Sequence, residues 1–250
     1  MRTTIVGLIA ACALILAGCG SSDDTLTVSA AASLKEALTD YGGQFEDAKA
    51  RFSFAGSDEL AAQIRKGAKP DVFASANTKL PDELYDEGLV QKPVTFAGNE
   101  LVLAVPAGSD AGIASLQDLE KAGTSLAIGS ESVPVGAYTR TVLSKLPESE
   151  SSAILKNVRS EEPDVAGIVG KLTQGAVDAG FVYISDVRAT DGKLEAVELP
   201  ESLQPTVAYG VAVVKGAEHE DAAKAFVDGL LDGDGRRALD AAGFEPPPAQ

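Results

Sequence analysis

The sequence predicts an α/β protein of two lobes, and three observations carry that expectation. Short β-rich runs alternate with helical patterns along the chain, which argues for mixed, mostly parallel sheets flanked by helices. The two longest apolar runs, 99–106 (NELVLAVP) and 209–215 (YGVAVVK), fall where the chain can pass from one lobe to the other and back. Small and hydroxyl residues stand repeatedly at the turn from strand to helix, the place where α/β sheets bind ligands.

The elements follow in order. Residues 26–30 (LTVSA) read as a strand, and Leu34, Leu38 and Tyr41 start a helical spacing. Residues 51–55 (RFSFA) alternate like a strand, and the helix after Ser57 stops at Gly67. DVFAS at 71–75 is a strand, and 81–88 a short helix with Pro81 in its first turn. NELVLAVP reads as one long strand, then 115–121 as a helix with Ser115 as cap and Asp118 three residues on. A strand at 126–129, helices at 134–146 and 163–174, and a buried strand at 179–184 come next. The strand at 209–215 and helices at 220–231 and 236–242 close the pattern, with a loose Pro-rich end from Glu245. The division expected is 25–100 plus 209–245 for one lobe, 101–208 for the other, and 246–250 as a tail.

The N-terminus reads as an address. Arg2 precedes an uncharged apolar run over 5–17, too short to span a bilayer at ~20 residues and shaped like a secretory signal. Leu16-Ala17-Gly18-Cys19 resembles the bacterial lipobox, which implies a signal peptide at 1–18, lipidation of Cys19 and a tether over 19–24. The other reading is an ordinary cut near Gly18 with an unmodified Cys19. Cys12 leaves with the leader, so no intramolecular disulfide is available and the fold must rest on its core.

Composition narrows function. Lys plus Arg number 21 against 37 Asp plus Glu, a net charge of −16, which repels nucleic acid. His219 is the one histidine. A hydrolase built on Ser57 lacks the G-x-S-x-G turn and has only His219, in the acidic stretch GAEHED, as its base. A soft-metal carrier lacks the usual thiol and imidazole ligands, and no repeat suggests an adhesive array.

Four strand-to-helix turns share one chemistry. Ser33, Ser57, the segment Val133-Pro134-Val135-Gly136 and the segment Glu162-Pro163-Asp164-Val165 each open a helix. Helix starts expose backbone N–H groups and about half a positive charge, so an anion fits without Lys or Arg. Taken singly, Ser33 and Ser57 read equally as N-caps worth ~1 kcal/mol, and Tyr183 as a core residue whose hydroxyl needs a partner.

Together these segments resemble the molybdate-binding proteins of bacterial ABC importers. The matching stretches are AASLKEAL (31–38), FAGSDELAAQIRKGAKPDVFASA (54–76), NELVLAVP, VPVGAYTRTVL (133–143), VDAGFVYISDV (177–187), YGVAVV (209–214) and AGF (242–244). The resemblance implies a type II periplasmic-binding-protein-like fold with the ligand cleft between two lobes. It implies an oxyanion, molybdate or tungstate, held by neutral donors and no cofactor. Ser33 and Ser57 would offer hydroxyl and backbone donors, Val135 and Val165 backbone N–H groups, and Tyr183 its phenol. Val135 stands where the family usually has Ala, and Ser185 where Thr is more frequent. The implied partners are an ABC permease with its ATPase, and the membrane through the lipid anchor, with the carrier itself a monomer outside the cell membrane. A sulfate or other oxyanion receptor of the same fold is the alternative. Asp58 and Asp164 flank the proposed ligands and are expected to face solvent, complementing the helix starts.

Overall fold

A computed structural model describes residues 25–249. The leader at 1–18, the lipidation expected at Cys19 and the rest of the tether lie outside the described residues. The strands are β1 (Thr25–Ala31), β2 (Lys49–Ala55), β3 (Val72–Ser75), β4 (Val94–Asn99), β5 (Leu101–Pro106), β6 (Leu126–Gly129), β7 (Val158–Glu162), β8 (Ala179–Tyr183), β9 (Leu194–Val197) and β10 (Val207–Val213). The helices are α1 (Lys35–Gln44), α2 (Ser57–Arg65), α3 (Lys79–Asp86), α4 (Pro134–Ser144), α5 (Glu148–Lys156), α6 (Val165–Thr173), α7 (Ile184–Arg188), α8 (Glu220–Leu231) and α9 (Asp234–Ala241).

The strands form two five-stranded sheets, β2-β1-β3-β10-β4 and β7-β6-β8-β5-β9. Each is mixed in the same way. β1 pairs in parallel with β2 and β3, and β6 with β7 and β8. One strand per sheet, β10 or β5, runs against its two neighbours. These reversed strands are the ones that arrive from the other lobe. Only Glu100 separates β4 in the first sheet from β5 in the second. Val207 pairs directly with Asn99, so the outgoing and returning chains run side by side.

Helices cover both faces of the first sheet. Leu60, Ile64, Leu80 and Leu84 of α2 and α3 pack with Phe73 on one side. On the other, Tyr41 stacks against Phe226 at 4.5 Å and donates to the Phe226 carbonyl at 3.2 Å. In the second sheet, Val142 and Leu143 of α4 and Ile168 and Leu172 of α6 join the core with Phe181 of β8. Asp71 ties three elements of the first lobe together. Its carboxylate accepts the Thr27 N–H and hydroxyl, both at 2.7 Å, and the His219 N–H at 2.9 Å.

The structure corrects several local expectations. NELVLAVP is not one strand: Asn99 ends β4 and Leu101 begins β5. β10 begins at Val207, ahead of Tyr209, because Val207 and Ala208 already pair with β4. Residues 115–121 hold a tight 3-10 turn over Leu116–Glu120, and Ser115 does not cap it. Instead Asp118 reaches back, accepting from the Ser115 hydroxyl and the Ala114 N–H. Glu245 is not part of a loose end; it exchanges both backbone hydrogen bonds with Gly98. His219, in the acidic stretch, is half-buried, with its Nδ1 3.5 Å from the carboxylate of the buried Asp71. Residues 94–98 of β4 and the segments forming α5, β7 and β9 carried no expectation of structure, and Ile184, expected to end the strand at 179–184, begins α7.

Candidate functional site

One small cavity lies where the two lobes face each other. It is lined from the first lobe by Ala31–Ser33, Ala55–Ser57 and Ala76, and from the second by Val133–Val135, Asp164, Val165 and Tyr183. All five residues singled out by the resemblance, Ser33, Ser57, Val135, Val165 and Tyr183, therefore meet at one place. The space open to the centre of a water-sized atom is about 20 Å³. One water needs about 10–15 Å³ on that measure, so the cavity suits an ion of a few atoms and excludes a sugar or peptide.

Helix starts build the walls. α2 begins at Ser57 after Gly56, α4 at Pro134 after Val133, and α6 at Val165 after Asp164. The fourth wall is the 3-10 turn Ala32–Leu34 that leads into α1. First-turn N–H groups have no intrahelical acceptor, and their dipoles favour an anion in front of them. Glycines bring the walls close. A Cβ at Gly136 would run into the Ser130 carbonyl oxygen, and one at Gly56 into that of Pro163 in the other lobe. The lobes are thus in contact beside the cavity, as in a closed cleft.

Neither serine is an N-cap. Ser57 is the first residue of α2 and Gly56 precedes it; Ser33 lies within the 3-10 turn, and neither side chain makes a capping bond. Ser57 Oγ accepts the Ala76 N–H at 3.1 Å. A backbone N–H can only donate, so the Ser57 proton is left to donate elsewhere. Ser33 Oγ lies 2.9 Å from the Tyr209 hydroxyl.

Tyr183 is the most telling residue. Its ring sits between Tyr138 and Tyr209, at centroid distances of 6.4 and 5.8 Å. Only 1% of the residue is exposed, yet its hydroxyl has no hydrogen-bond partner among the described residues. Burial, followed by the neighbouring Tyr209, Tyr138 and Asp186, holds its phenol well above the ordinary range, so it stays a donor.

No Lys or Arg lines the cavity, and its one charged residue is Asp164. That carboxylate is occupied as the cap of α6, accepting the Gly167 N–H at 2.9 Å. Asp58 departs from expectation. Its Oδ1 is buried without a partner and turned back beside Gly56, not into solvent. It does not line the cavity. Asp186, behind Tyr183, accepts the Tyr183 N–H at 3.0 Å. Burial, reinforced by Asp164, raises its carboxyl to about 7.

Sequence reasoning did not place Tyr209, Asn99 and Asp186 behind the cavity, where they adjoin Ser33, Ser185 and Tyr183. Tyr209 reads as one more large side chain of an apolar strand, and Asn99 as the polar end of another. The available signal was a polar side chain in each of the two runs that join the lobes.

Comparisons with known proteins agree with this architecture. The molybdate-binding protein ModA of Mycobacterium tuberculosis is 37% identical over 228 residues, covering 89% of this chain and 85% of that protein. A solved substrate-binding domain of a putative molybdenum ABC transporter from Clostridium difficile is 30% identical with a TM-score of 0.67, covering 89% of this chain and 98% of that one. The periplasmic molybdate-binding protein of Azotobacter vinelandii, at 23% identity, shares the fold with a TM-score of 0.78 over 89% of this chain and the whole of that one. Residues 26–245 match the model of bacterial extracellular solute-binding proteins. A ligand-sized gap between two sheets joined by two crossings of the chain is what that match leads one to look for, and this chain belongs to the family of bacterial extracellular solute-binding proteins.

Proposed function

We propose that the protein captures molybdate, and tungstate with it, outside the cell membrane and hands it to an ABC permease driven by its ATPase. The observation that carries this reading is the buried, unpartnered Tyr183 hydroxyl at a cavity ringed by helix starts. Burying a hydroxyl without a partner costs about 1–3 kcal/mol, so a partner is missing, and hydroxyls and helix-start N–H groups surround the gap. A small anion that accepts from all sides completes it. Relatives named as molybdate-binding proteins support the choice of ion.

In this reading Ser33, Ser57 and Tyr183 donate from their hydroxyls, and Val135 and Val165 from their backbone N–H groups. Hydrogen bonds to a charged group contribute roughly 1.5–3 kcal/mol each, so five offset the dehydration of a dianion in a preorganised site. The five groups proposed as ligands are all donors and offer the proton of hydrogen phosphate no acceptor, while the one carboxylate at the cavity, Asp164, serves as the cap of α6. The protein needs no chemistry of its own: residues 25–100 plus 209–245 close against 101–208 over the ion. Cys19 carries the lipid, and the carrier works as a monomer.

Isothermal titration of the purified protein with molybdate, tungstate, sulfate and phosphate at neutral pH tests this. Tight binding of the first two alone supports it. Sulfate binding of equal strength makes the protein a general oxyanion receptor, and no binding of any of the four removes the assignment. Cys19→Ala tests the anchor: the protein should move from the membrane fraction to the soluble one.

A further inference from the structure

Behind Ser33, on the side away from the cavity, lies a polar group that the five proposed ligands do not include. Tyr209, Asn99 and Ser185 are all buried, at 0%, 4% and 3% exposure. Asn99 ends β4 and Tyr209 lies on the returning β10, so the group sits at the two-strand junction of the lobes. Ser185 belongs to α7 in the second lobe.

The direction of each hydrogen bond here can be worked out. The Asn99 carbonyl oxygen accepts the Glu100 N–H at 2.9 Å. That fixes the amide, so its NH2 faces Ser185 at 2.8 Å and the Tyr209 hydroxyl at 3.4 Å. An amide NH2 only donates, so the Tyr209 oxygen is the acceptor in that contact. The remaining neighbour of the Tyr209 hydroxyl is Ser33 Oγ at 2.9 Å. Among the described residues no other acceptor adjoins the Tyr209 hydroxyl, so its single proton is assigned to Ser33. With its oxygen so engaged, Ser33 is left to aim its own proton into the cavity. Burial holds the Tyr209 phenol protonated at any ordinary pH, as this arrangement needs.

We propose that Tyr209 and Asn99 are positioning residues that lock Ser33 as a donor toward the ion, and that this lock sets the discrimination against oxyanions carrying a proton. The proposal rests on the oxyanion reading given above and deepens it. Without the lock, the Ser33 hydroxyl is a free rotor. It can turn to accept the proton of a hydrogen phosphate, and it donates to a bare dianion only part of the time. Ser57 achieves the same end through the Ala76 N–H, which no side-chain substitution can reverse. Discrimination is therefore adjustable at Ser33 and built into the backbone at Ser57.

Calorimetry on the purified protein tests this, with molybdate titrated directly and phosphate measured by competition. Tyr209→Phe should weaken molybdate about tenfold or more while changing phosphate by less than about threefold, so the ratio of the two narrows. In a Ser33→Ala background the same substitution should alter neither anion by more than about twofold, because the residue acts through Ser33. Asn99→Ala should narrow the ratio in the same direction, which covers the case of a poorly folding Tyr209→Phe. The proposal falls if Tyr209→Phe weakens both anions by one factor, as general loosening of the cleft would, or if its effect persists undiminished without Ser33. A wild-type protein that binds molybdate with either of those results loses the lock and keeps the oxyanion reading; one that binds none of the anions loses both.

Discussion

A hydroxyl buried without a partner is a debt in the empty protein, and Tyr183 carries one. Tyr183→Phe should therefore act with opposite signs on two measurements. Molybdate affinity should fall about 10- to 100-fold, the equivalent of ~1.5–3 kcal/mol for a hydrogen bond to a charged group. The melting temperature of the ligand-free protein should stay level or rise, because the unsatisfied group is gone. A ligand-free protein clearly destabilised by the change would mean that the hydroxyl has a partner inside the fold. Asp164 makes a second contrast. Asp164→Ala removes the cap of α6 and should cost about 0.5–2 kcal/mol in chemical denaturation. Asp164→Asn keeps an acceptor for Gly167 and removes the carboxylate beside the cavity, so stability should hold while anion affinity rises. Equal affinity for the Asn variant and the wild type would show that the charge at Asp164 is not felt in the cavity. Asp186 supplies a pH dependence. Its folded carboxyl titrates at about 7, well above the ordinary carboxylate value near 3.9. The folded state thus binds the extra proton between those values, and stability should decline as pH rises through that window. Asp186→Asn should flatten this decline, stabilising the protein at pH 8 and leaving it unchanged near pH 4; guanidinium melts at the two pH values decide it.

At the scale of elements, the difference between what was legible and what was not follows burial. β3 and β8 were plain in the sequence as short runs buried at every position, and α2 because its buried residues recur at a helical period. β7 was not, since VRSEE shows no fully buried position and its charges read as a loop. α5 buries only Ile154, so it has no apolar stripe to detect. NELVLAVP shows a deeper limit. Its apolar part, 101–106, is all β5, and the chain changes sheet on the polar pair Asn99-Glu100, which marks a boundary without saying that a second strand, β4, ends there. The five proposed ligands were legible only as a set, through resemblance, because each alone reads as a cap or core residue. Gly136 is a site where element geometry makes a prediction without any ligand. Gly136→Ala would force a Cβ against the Ser130 and Gly129 carbonyls and should strain the start of α4. A loss of several degrees in melting temperature is expected, and an unchanged melt would mean that the turn before α4 yields freely.

For the whole molecule the decisive contact is between lobes. The Cβ of an alanine at Gly56 would meet the Pro163 carbonyl of the opposite lobe. Gly56 itself has ordinary extended backbone angles, φ −60 and ψ 136, and within the first lobe its Cβ would crowd only the end of the Asp58 side chain, which can turn away. Gly56→Ala should leave the ligand-free melting temperature nearly unchanged and yet weaken molybdate strongly. In small-angle scattering, saturating molybdate should compact the wild type more than this variant. Equal compaction of the two would place the closing motion elsewhere than at this contact.

The strand order has a consequence for how such a protein is made. β10 lies between β3 and β4, so β4 has no neighbour in its sheet until residue 213 has been synthesised. The strands of the second sheet are contiguous from 101 to 197 and can assemble earlier. The first half of the polypeptide therefore remains incomplete through most of its synthesis. If the chain is exported unfolded, as the reading of its N-terminus implies, it gains from that delay, and it cannot pick up an ion on the wrong side while its cleft has one finished wall.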